Sequence, residues 1–194
     1  MSRPSLKNQR YQQIMDAYES CVARYGIEGA TLERIANQAG LARPLIRHNV
    51  GNREELMSGL LQRFESRGQS FKQHIEQTLP SDMRLQALIT HLFESDDQTM
   101  VIAYALVSAI PDYPLAQQLI EEWLSGLHKI LERELAREYP QAQEAAVNAV
   151  AVGIGAIYAN LQAIKALQSS DAMREQSRQA VYRLVESLKV SPPL

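Results

Sequence analysis

Residues 31–56 read TLERIANQAGLARPLIRHNVGNREEL, and this stretch decides the fold of the N-terminal part of the chain. Its first part has apolar residues at the spacing of one helical face: Leu32, Ile35, Ala36 and Ala39. Gly40 follows at a position where helices commonly end in a left-handed residue. The spacing therefore predicts a short helix that packs inward and stops at Gly40.

A second short helix is predicted two residues further on. Pro44 suits its first turn, where the missing N–H has no helical partner to lose, and Ile46 and Val50, four residues apart, face the core. The side chains left pointing outward are Arg43, Arg47, His48 and Asn49. They offer bidentate donors for guanine, an amide for adenine and cations for phosphate, which indicates a helix-turn-helix DNA-binding module. The alternative is that this charged helix is only a solvated face.

A longer pattern surrounds the motif. It comprises Ile14, Ala17, Cys21, Val22, Gly26, Thr31, Ile35, Ala36, Ala39, Gly40, Glu54, Glu55 and Leu56. Through these positions, residues 10–56 resemble the DNA-binding module of the TetR family of transcriptional regulators. Ala42 stands where that family commonly has a small hydroxyl residue capping the recognition helix. Arg47 and Val50 stand where a phosphate-contacting tyrosine and an aromatic residue usually follow. These departures leave the fold intact, but the family's sequence preference cannot be carried over.

The resemblance implies an all-α protein with a helix-turn-helix DNA-binding domain at residues 1–51 and a ligand-binding and dimerisation domain at residues 52–194. We expect a homodimeric repressor that binds a palindromic operator in double-stranded DNA and is released by a small-molecule effector. The predicted DNA-binding residues are Thr31, Arg43, Pro44, Leu45, Arg47, His48, Asn49 and Arg53. The alternative is a helical protein-interaction module that has lost specific DNA binding, which the missing tyrosine favours. An all-α enzyme has no motif behind it.

Charge is unevenly divided along the chain. The net charge is −2, but residues 1–64 hold nine Lys or Arg against six Asp or Glu, a net charge of +3. This asymmetry favours an N-terminal DNA face. The excess is small, so we expect affinity to depend on geometry and on dimerisation.

Composition also limits the class of protein. A chain of 194 residues with 45% hydrophobic content can bury a core. Cys21 is the only cysteine, which excludes an internal disulfide framework, and it is either a small buried side chain or a redox sensor. Residues 1–8 are polar, and no uninterrupted apolar run reaches the roughly 18 residues of a membrane span. We therefore expect a cytoplasmic protein without a membrane segment.

Apolar periodicity predicts about nine helices and no strand. The first runs from about Gln9 to Tyr25 and ends at Gly26. Asn52 and Glu55 form a capping pattern that opens a long helix, bent at Gly68 and closed by Pro80. Further helices are predicted near residues 85–93, 100–107, 119–139, 147–168 and 172–189.

The C-terminal part has no catalytic motif. Its histidines lack metal-ligand spacing, and the Gly153–Gly155 pair lies within a helix, so we expect no metal and no cofactor. Polar and aromatic residues among apolar neighbours are the candidates for contacts with a mostly apolar ligand: His91, Tyr104, Trp123, His128 and Tyr158. Taken singly, each is equally well explained as a core residue whose polar group is hydrogen-bonded, or as a residue whose polar end reaches the surface.

A run of small residues at 145–163 predicts close packing between helices. In TetR-like proteins the last two long helices pair with the same helices of a second subunit. The predicted interface residues are Gly153, Gly155, Ala156, Ala159, Val181, Leu184 and Leu188. Close packing within one subunit is the alternative for this segment. Dimerisation has a separate argument, because one short recognition helix reads too few base pairs and two-fold symmetry supplies a second half-site.

Overall fold

The computed structural model describes residues 6–94, 98–163 and 171–190, without the side chains of Thr78, Asp171 and Val190. Within these residues it contains nine α-helices and no strand, which confirms the predicted all-α class. The first helix, α1, spans Leu6–Gly29 and is interrupted at Gly26, whose φ of 71° and ψ of 174° are not helical. The predicted break at Gly26 is therefore confirmed, although a further helical turn follows it.

The next two helices form the expected helix-turn-helix. The α2 helix spans Leu32–Ala39 and α3 spans Arg43–Val50. Thr31 caps α2, since its hydroxyl accepts the backbone N–H of Arg34 at 3.3 Å. Gly40 ends α2 in the left-handed region with φ 63°, a conformation that favours glycine. The predicted end of α2 at Gly40 is confirmed, whereas the cap at Thr31, predicted only as a DNA-binding residue, was not expected.

The α4 helix spans Arg53–Gln73 and begins with the predicted capping box. The backbone N–H of Glu55 donates to Asn52 Oδ1 at 3.1 Å, and the backbone N–H of Asn52 donates to Glu55 Oε2 at 2.7 Å. Two N–H groups that lack helical partners are satisfied by this exchange.

The α4 helix is continuous through Gly68, so this glycine does not interrupt it, and the predicted bend there stays a prediction. The α-helical geometry changes later, where a π-helical turn, His74–Thr78, follows α4. Gly68 has another role: a Cβ atom there would lie 3.0 Å from Trp123 Cδ1. The close approach of an indole ring thus explains why a glycine stands at this position.

A 3₁₀ turn, Ser81–Met83, precedes the remaining helices. These are α5 (Arg84–Glu94), α6 (Thr99–Val107), α7 (Pro114–Glu138), α8 (Glu144–Ala163) and α9 (Asp171–Ser187). The α7 helix starts earlier than its apolar row indicated, because proline is accepted in a first helical turn. The predicted end of α8 near Gln168 lies outside the described residues.

Contacts divide the chain into two compact units. The first comprises Met1–Arg67 and Val101–Ile120, and the second comprises Gly68–Met100 and Glu121–Leu194. The core of the first unit includes Ile14, Ile35, Ile46, Phe64 and Leu106, and that of the second includes Leu88, Leu131, Leu135, Ile154 and Val181. Both units are discontinuous in sequence. The division at residue 51 is a functional assignment and stays a prediction.

Among the described helices, α8 alone has the length and mean hydropathy of a membrane span. This helix contains no uninterrupted apolar run of that length, because Asn148 and Asn160 interrupt it, although its mean hydropathy stays high. A core helix of a water-soluble protein has the same composition, and Ala151 and Ile154 of α8 are fully buried. The hydropathy of α8 is therefore weak support for a membrane span.

Candidate nucleic-acid interface and ligand cavity

The α3 helix is fixed on the first unit by one face. Ile46 is 0% exposed and Val50 is 7% exposed, as predicted. The opposite face presents Arg43, Arg47 and His48, which are all exposed. A short helix held by its apolar side thus leaves three nitrogen-bearing side chains toward solvent.

Hydrogen bonds fix the segments on either side of α3. The Gln13 amide of α1 donates to the Ala39 carbonyl at the end of α2, at 2.8 Å. Gly51 then ends α3 with φ 93°, and its N–H donates to the Arg47 carbonyl at 3.0 Å. Ala42 precedes α3 and supplies no side-chain cap. The start of α3 is therefore left without the side-chain acceptor that a hydroxyl residue would provide.

Other predicted DNA-binding residues already have partners within the first unit. The Asn49 amide donates to the Leu45 carbonyl at 2.7 Å, so one of its two N–H groups is used within α3. Arg53 forms an ion pair with Glu28. Thr31 is engaged as the cap of α2. Pro44 and Leu45 are exposed beside the three outward side chains.

Two arginines near the start of α2 were missed by the sequence analysis. The Arg34 guanidinium lies 4.4 Å from the centre of the Tyr25 ring and donates to the Gly29 carbonyl at 2.7 Å. Arg24 lies over the same ring at 5.3 Å. The positive net charge of residues 1–64 was the only feature of the sequence that indicated these arginines. Arg34 adds exposed positive charge next to Thr31, and Arg24 adds it near the end of α1.

The beginning of α4 is tied to a distant part of the same unit. The Tyr113 hydroxyl donates to Glu54 Oε1 at 2.9 Å, and this hydrogen bond raises the pKa of Tyr113. Beneath it, burial raises the pKa of Tyr18 to about 12, although nearby Arg53 opposes the shift. Nothing in the sequence pairs Glu54 with Tyr113, because the two residues lie far apart along the chain.

The second unit contains a cavity of about 210 Å³ between α7 and α8. Its lining residues are Met100, Trp123, Leu124, Leu127, His128, Leu131, Ala151, Val152, Gly155, Tyr158 and Ala159. Three predicted ligand residues, Trp123, His128 and Tyr158, are therefore brought together. The lining is mostly apolar with a few polar groups, which is the usual composition of a small-molecule site.

A polar cluster lies beside the cavity at His128. Its Nε2 is 3.3 Å from Glu132 Oε1, one helical turn further along α7. The Asn148 amide donates to the same Glu132 oxygen at 2.7 Å. These contacts restrict the orientation of the imidazole ring.

The other two predicted ligand residues are not among the residues lining this cavity. His91 packs against Phe71, with ring centres 4.7 Å apart. Tyr104 belongs to the first unit and is 42% exposed. Helical periodicity marked both as interruptions of apolar rows, but it did not indicate which space each one faces.

The predicted interface residues differ in accessibility. Val181 and Leu188 are almost completely buried within the second unit. A Cβ atom at Gly153 would lie 3.0 Å from Leu184 Cδ1, so this glycine allows close packing between α8 and α9 of one chain. Ala156 is exposed, and a Cβ atom at Gly155 would meet nothing within 4 Å. Gly155, Ala156 and Ala159 thus remain accessible candidates, whereas Gly153 fits the alternative of packing within one subunit.

The apolar row of α7 contains a buried charge. Glu134 is 0% exposed and lies 3.2 Å from Arg133 Nε, with a second ion pair to Arg137. Arg133 also reaches Glu76 at 2.8 Å. Within the described residues, no three His, Cys, Asp or Glu side chains are grouped to hold a metal ion. Glu134 and Glu76 with Arg133 and Arg137 form an ion-pair network.

Comparison with known proteins gives similarity in structure but not in sequence. The sequence matches no protein-family model and no curated protein. A TetR transcription regulator from Haloarcula marismortui is 15% identical, with a TM-score of 0.68 over 92% of this chain and 97% of that chain. A putative transcriptional regulator from Saccharomonospora viridis, solved with choline, is 13% identical, with a TM-score of 0.72 over 92% and 96% of the two chains. The regulator FadR from Bacillus subtilis, solved with stearoyl-CoA, is 22% identical, with a TM-score of 0.61 over 90% and 97%.

Proposed function

Because the chain has the fold of the TetR-family transcriptional regulators, we propose that it is a DNA-binding transcriptional regulator. In this proposal it binds a partly palindromic operator as a dimer, represses transcription and leaves the DNA when a small molecule binds. The observation that carries the proposal is the geometry of α3. Its buried Ile46 and Val50 commit one face to the core, so Arg43, Arg47 and His48 are presented together on the other.

The chemistry of that exposed face suits the major groove of DNA. An arginine donates two parallel hydrogen bonds to a guanine edge, and the same group can neutralise a phosphate. The net charge of +3 over residues 1–64 is modest. Affinity would then depend on two α3 helices that engage half-sites about one helical turn apart.

The release step is supported by the cavity lined by Trp123, His128 and Tyr158. A ligand can shift DNA affinity only if it binds one arrangement of the protein better than the other. A coupling of about 1–3 kcal/mol would reduce operator affinity about 5- to 150-fold. The α4 helix begins shortly after α3 and continues to Gly68, which contacts the cavity residue Trp123. It therefore links the proposed DNA-binding helix to the cavity wall along one helix.

The DNA-binding proposal is tested with Arg47→Ala. DNA retained by the purified protein is sequenced to find a two-fold-related site, and affinity for that site is then measured at several salt concentrations. If Arg47 reads a base, affinity should fall by about 1–3 kcal/mol and specificity should relax at one position. If it contacts phosphate, affinity should fall for all sequences and the salt slope should drop by about 0.9 per contact.

Arg174→Ala is the matched control, because this arginine is exposed on α9 and the charge change is identical. It should leave operator affinity nearly unchanged. A folded Arg47→Ala protein that binds as tightly as wild type at every salt concentration contradicts the proposed role of α3.

Dimerisation is tested by ultracentrifugation of the wild-type protein and of Ala156→Phe, because Ala156 is exposed and does not line the cavity. The wild type should sediment as a dimer, and a large side chain at position 156 should shift it toward monomer through overpacking of about 1–3 kcal/mol. A stable wild-type monomer at micromolar concentration contradicts the dimer.

A protein-interaction module is the second candidate, favoured by Ala42 and Arg47 in place of the usual capping and phosphate-contacting residues. It predicts that the purified protein retains no enriched DNA site and that Arg47→Ala and Arg174→Ala behave alike.

A further inference from the structure

We infer that the cavity lined by Trp123, His128 and Tyr158 takes a compact, uncharged and mostly apolar molecule that carries one hydrogen-bond donor. This inference rests on the small-molecule clause of the proposed function and names the class of ligand. Three features of the cavity support this inference: its volume, the absence of charged side chains from its lining, and the hydrogen bonding of the His128 ring.

The volume limits the size of the ligand. The cavity measures about 210 Å³, whereas an enclosed apolar cavity of about 150 Å³ accommodates benzene. A bicyclic aromatic molecule, or an aliphatic one of similar bulk, therefore fits. A long-chain acyl thioester is several times too large.

The lining excludes a charged ligand. None of the described residues that line the cavity has a carboxylate, ammonium or guanidinium group. Leu127 and Leu131 are buried and Ala151 is 0% exposed, while Leu124 and Val152 of the lining are 46% and 55% exposed but carry no charge. An ion moved into such surroundings loses its hydration without gaining a counter-charge, which costs far more than burying a neutral group.

His128 defines the polar end of the site. Two groups lie near Nε2: the Glu132 carboxylate at 3.3 Å, which can only accept, and the Asn148 amide nitrogen at 3.4 Å, which already donates to that carboxylate. With the hydrogen of neutral His128 on Nε2, directed at the carboxylate, Nδ1 is left as an acceptor. Nδ1 has no partner among the described residues. The complementary ligand group is an O–H or N–H donor.

The experiment uses the full-length protein without DNA and a matched series of probes: β-naphthol, naphthalene, β-naphthoate and choline. Trp123 is the only tryptophan of the chain, so its fluorescence reports binding at the cavity wall directly. Calorimetry gives the dissociation constants independently. β-Naphthol should quench Trp123, and naphthalene, which lacks the donor, should bind about 2- to 10-fold more weakly. β-Naphthoate and choline should bind at least about tenfold more weakly than β-naphthol.

Variants locate the binding. His128→Leu should bind β-naphthol and naphthalene with equal affinity. Gly155→Leu should lose β-naphthol binding, because the added side chain has open space and enters the cavity. Gly126→Leu is the matched control: a Cβ atom there also meets nothing within 4 Å, but Gly126 does not line the cavity. It should bind β-naphthol like the wild type.

Three results would each overturn the inference: no quenching by β-naphthol, equal or tighter binding of β-naphthoate or choline, or wild-type affinity in Gly155→Leu. The probe comparison on the wild type needs no variant, so the inference stays testable even if Gly155→Leu loses its helical circular dichroism. Because no DNA is present, failure here leaves the Arg47→Ala result untouched. Conversely, if the protein binds no operator, the probe affinities still show whether the cavity binds a small molecule.

Discussion

Replacing Gly68 by alanine tests whether the contact with Trp123 explains the glycine. Gly68 lies inside α4, and Gly126 lies inside α7 with nothing within 4 Å of a Cβ atom. Alanine is favoured over glycine in a helix interior by about 1 kcal/mol. Gly126→Ala should therefore raise the free energy of unfolding by about 1 kcal/mol.

Gly68→Ala has the same gain but also a steric cost. The new Cβ would lie 3.0 Å from Trp123 Cδ1, while carbon atoms make favourable contacts at about 3.5–4.0 Å. The indole must move by about half an ångström or more, and overpacking of this kind costs about 1–3 kcal/mol. The net effect should lie between no change and about 2 kcal/mol of destabilisation, at least about 1 kcal/mol below that of Gly126→Ala.

The assay is urea unfolding at one protein concentration, since the stability of a dimer depends on concentration. Adding Trp123→Ala to both variants closes a double-mutant cycle. Without the indole, Gly68→Ala should recover the full gain of about 1 kcal/mol. Equal stabilisation by Gly68→Ala and Gly126→Ala in the presence of Trp123 would refute the steric explanation.

Three further predictions concern buried groups. Burial raises the pKa of Tyr18 from 10.0 to about 12, so above pH 10 the unfolded state binds fewer protons than the folded state. About 2–3 kcal/mol of stability should therefore be lost as the pH rises from 10 to 12. Urea unfolding at alkaline pH should show this loss in the wild type and not in Tyr18→Phe. Arg137→Leu should lower the free energy of unfolding by about 1–3 kcal/mol, because it leaves the buried carboxylate of Glu134 paired only with Arg133. Glu134→Leu should lower it by less, since it removes the buried charge itself. The opposite order in urea unfolding would contradict the network. Burial raises the pKa of the Cys21 thiol, so a thiol reagent should label it only at the rate of opening; rapid labelling of folded protein would contradict this.

The local signals in residues 31–56 predicted the end of α2 and the start of α4 because each depends on neighbouring residues. Gly40 ends α2, and Asn52 with Glu55 sets the start of α4, through hydrogen bonds within about one helical turn. Such contacts are readable from spacing alone.

The features that were missed depend on contacts between distant residues. The sequence indicated that Trp123, His128 and Tyr158 interrupt apolar rows, but His91 does so as well and packs against Phe71 instead. Helical periodicity gives the face of a helix and leaves its partner undetermined. Gly68 illustrates the same limit, since its explanation is an indole ring far along the chain.

The composition of the first unit has a consequence for engineering. Val101–Ile120 belongs to the same unit as α1 to α3, where Ile102 and Leu106 are almost completely buried and Tyr113 bonds to Glu54. A chimaera that transplants only residues 1–67 would leave the surfaces that these side chains cover open to water. Residues 1–67 are therefore not a self-contained folding unit, and a change of the proposed DNA specificity is better made by replacing the exposed side chains of α3 than by exchanging an N-terminal segment.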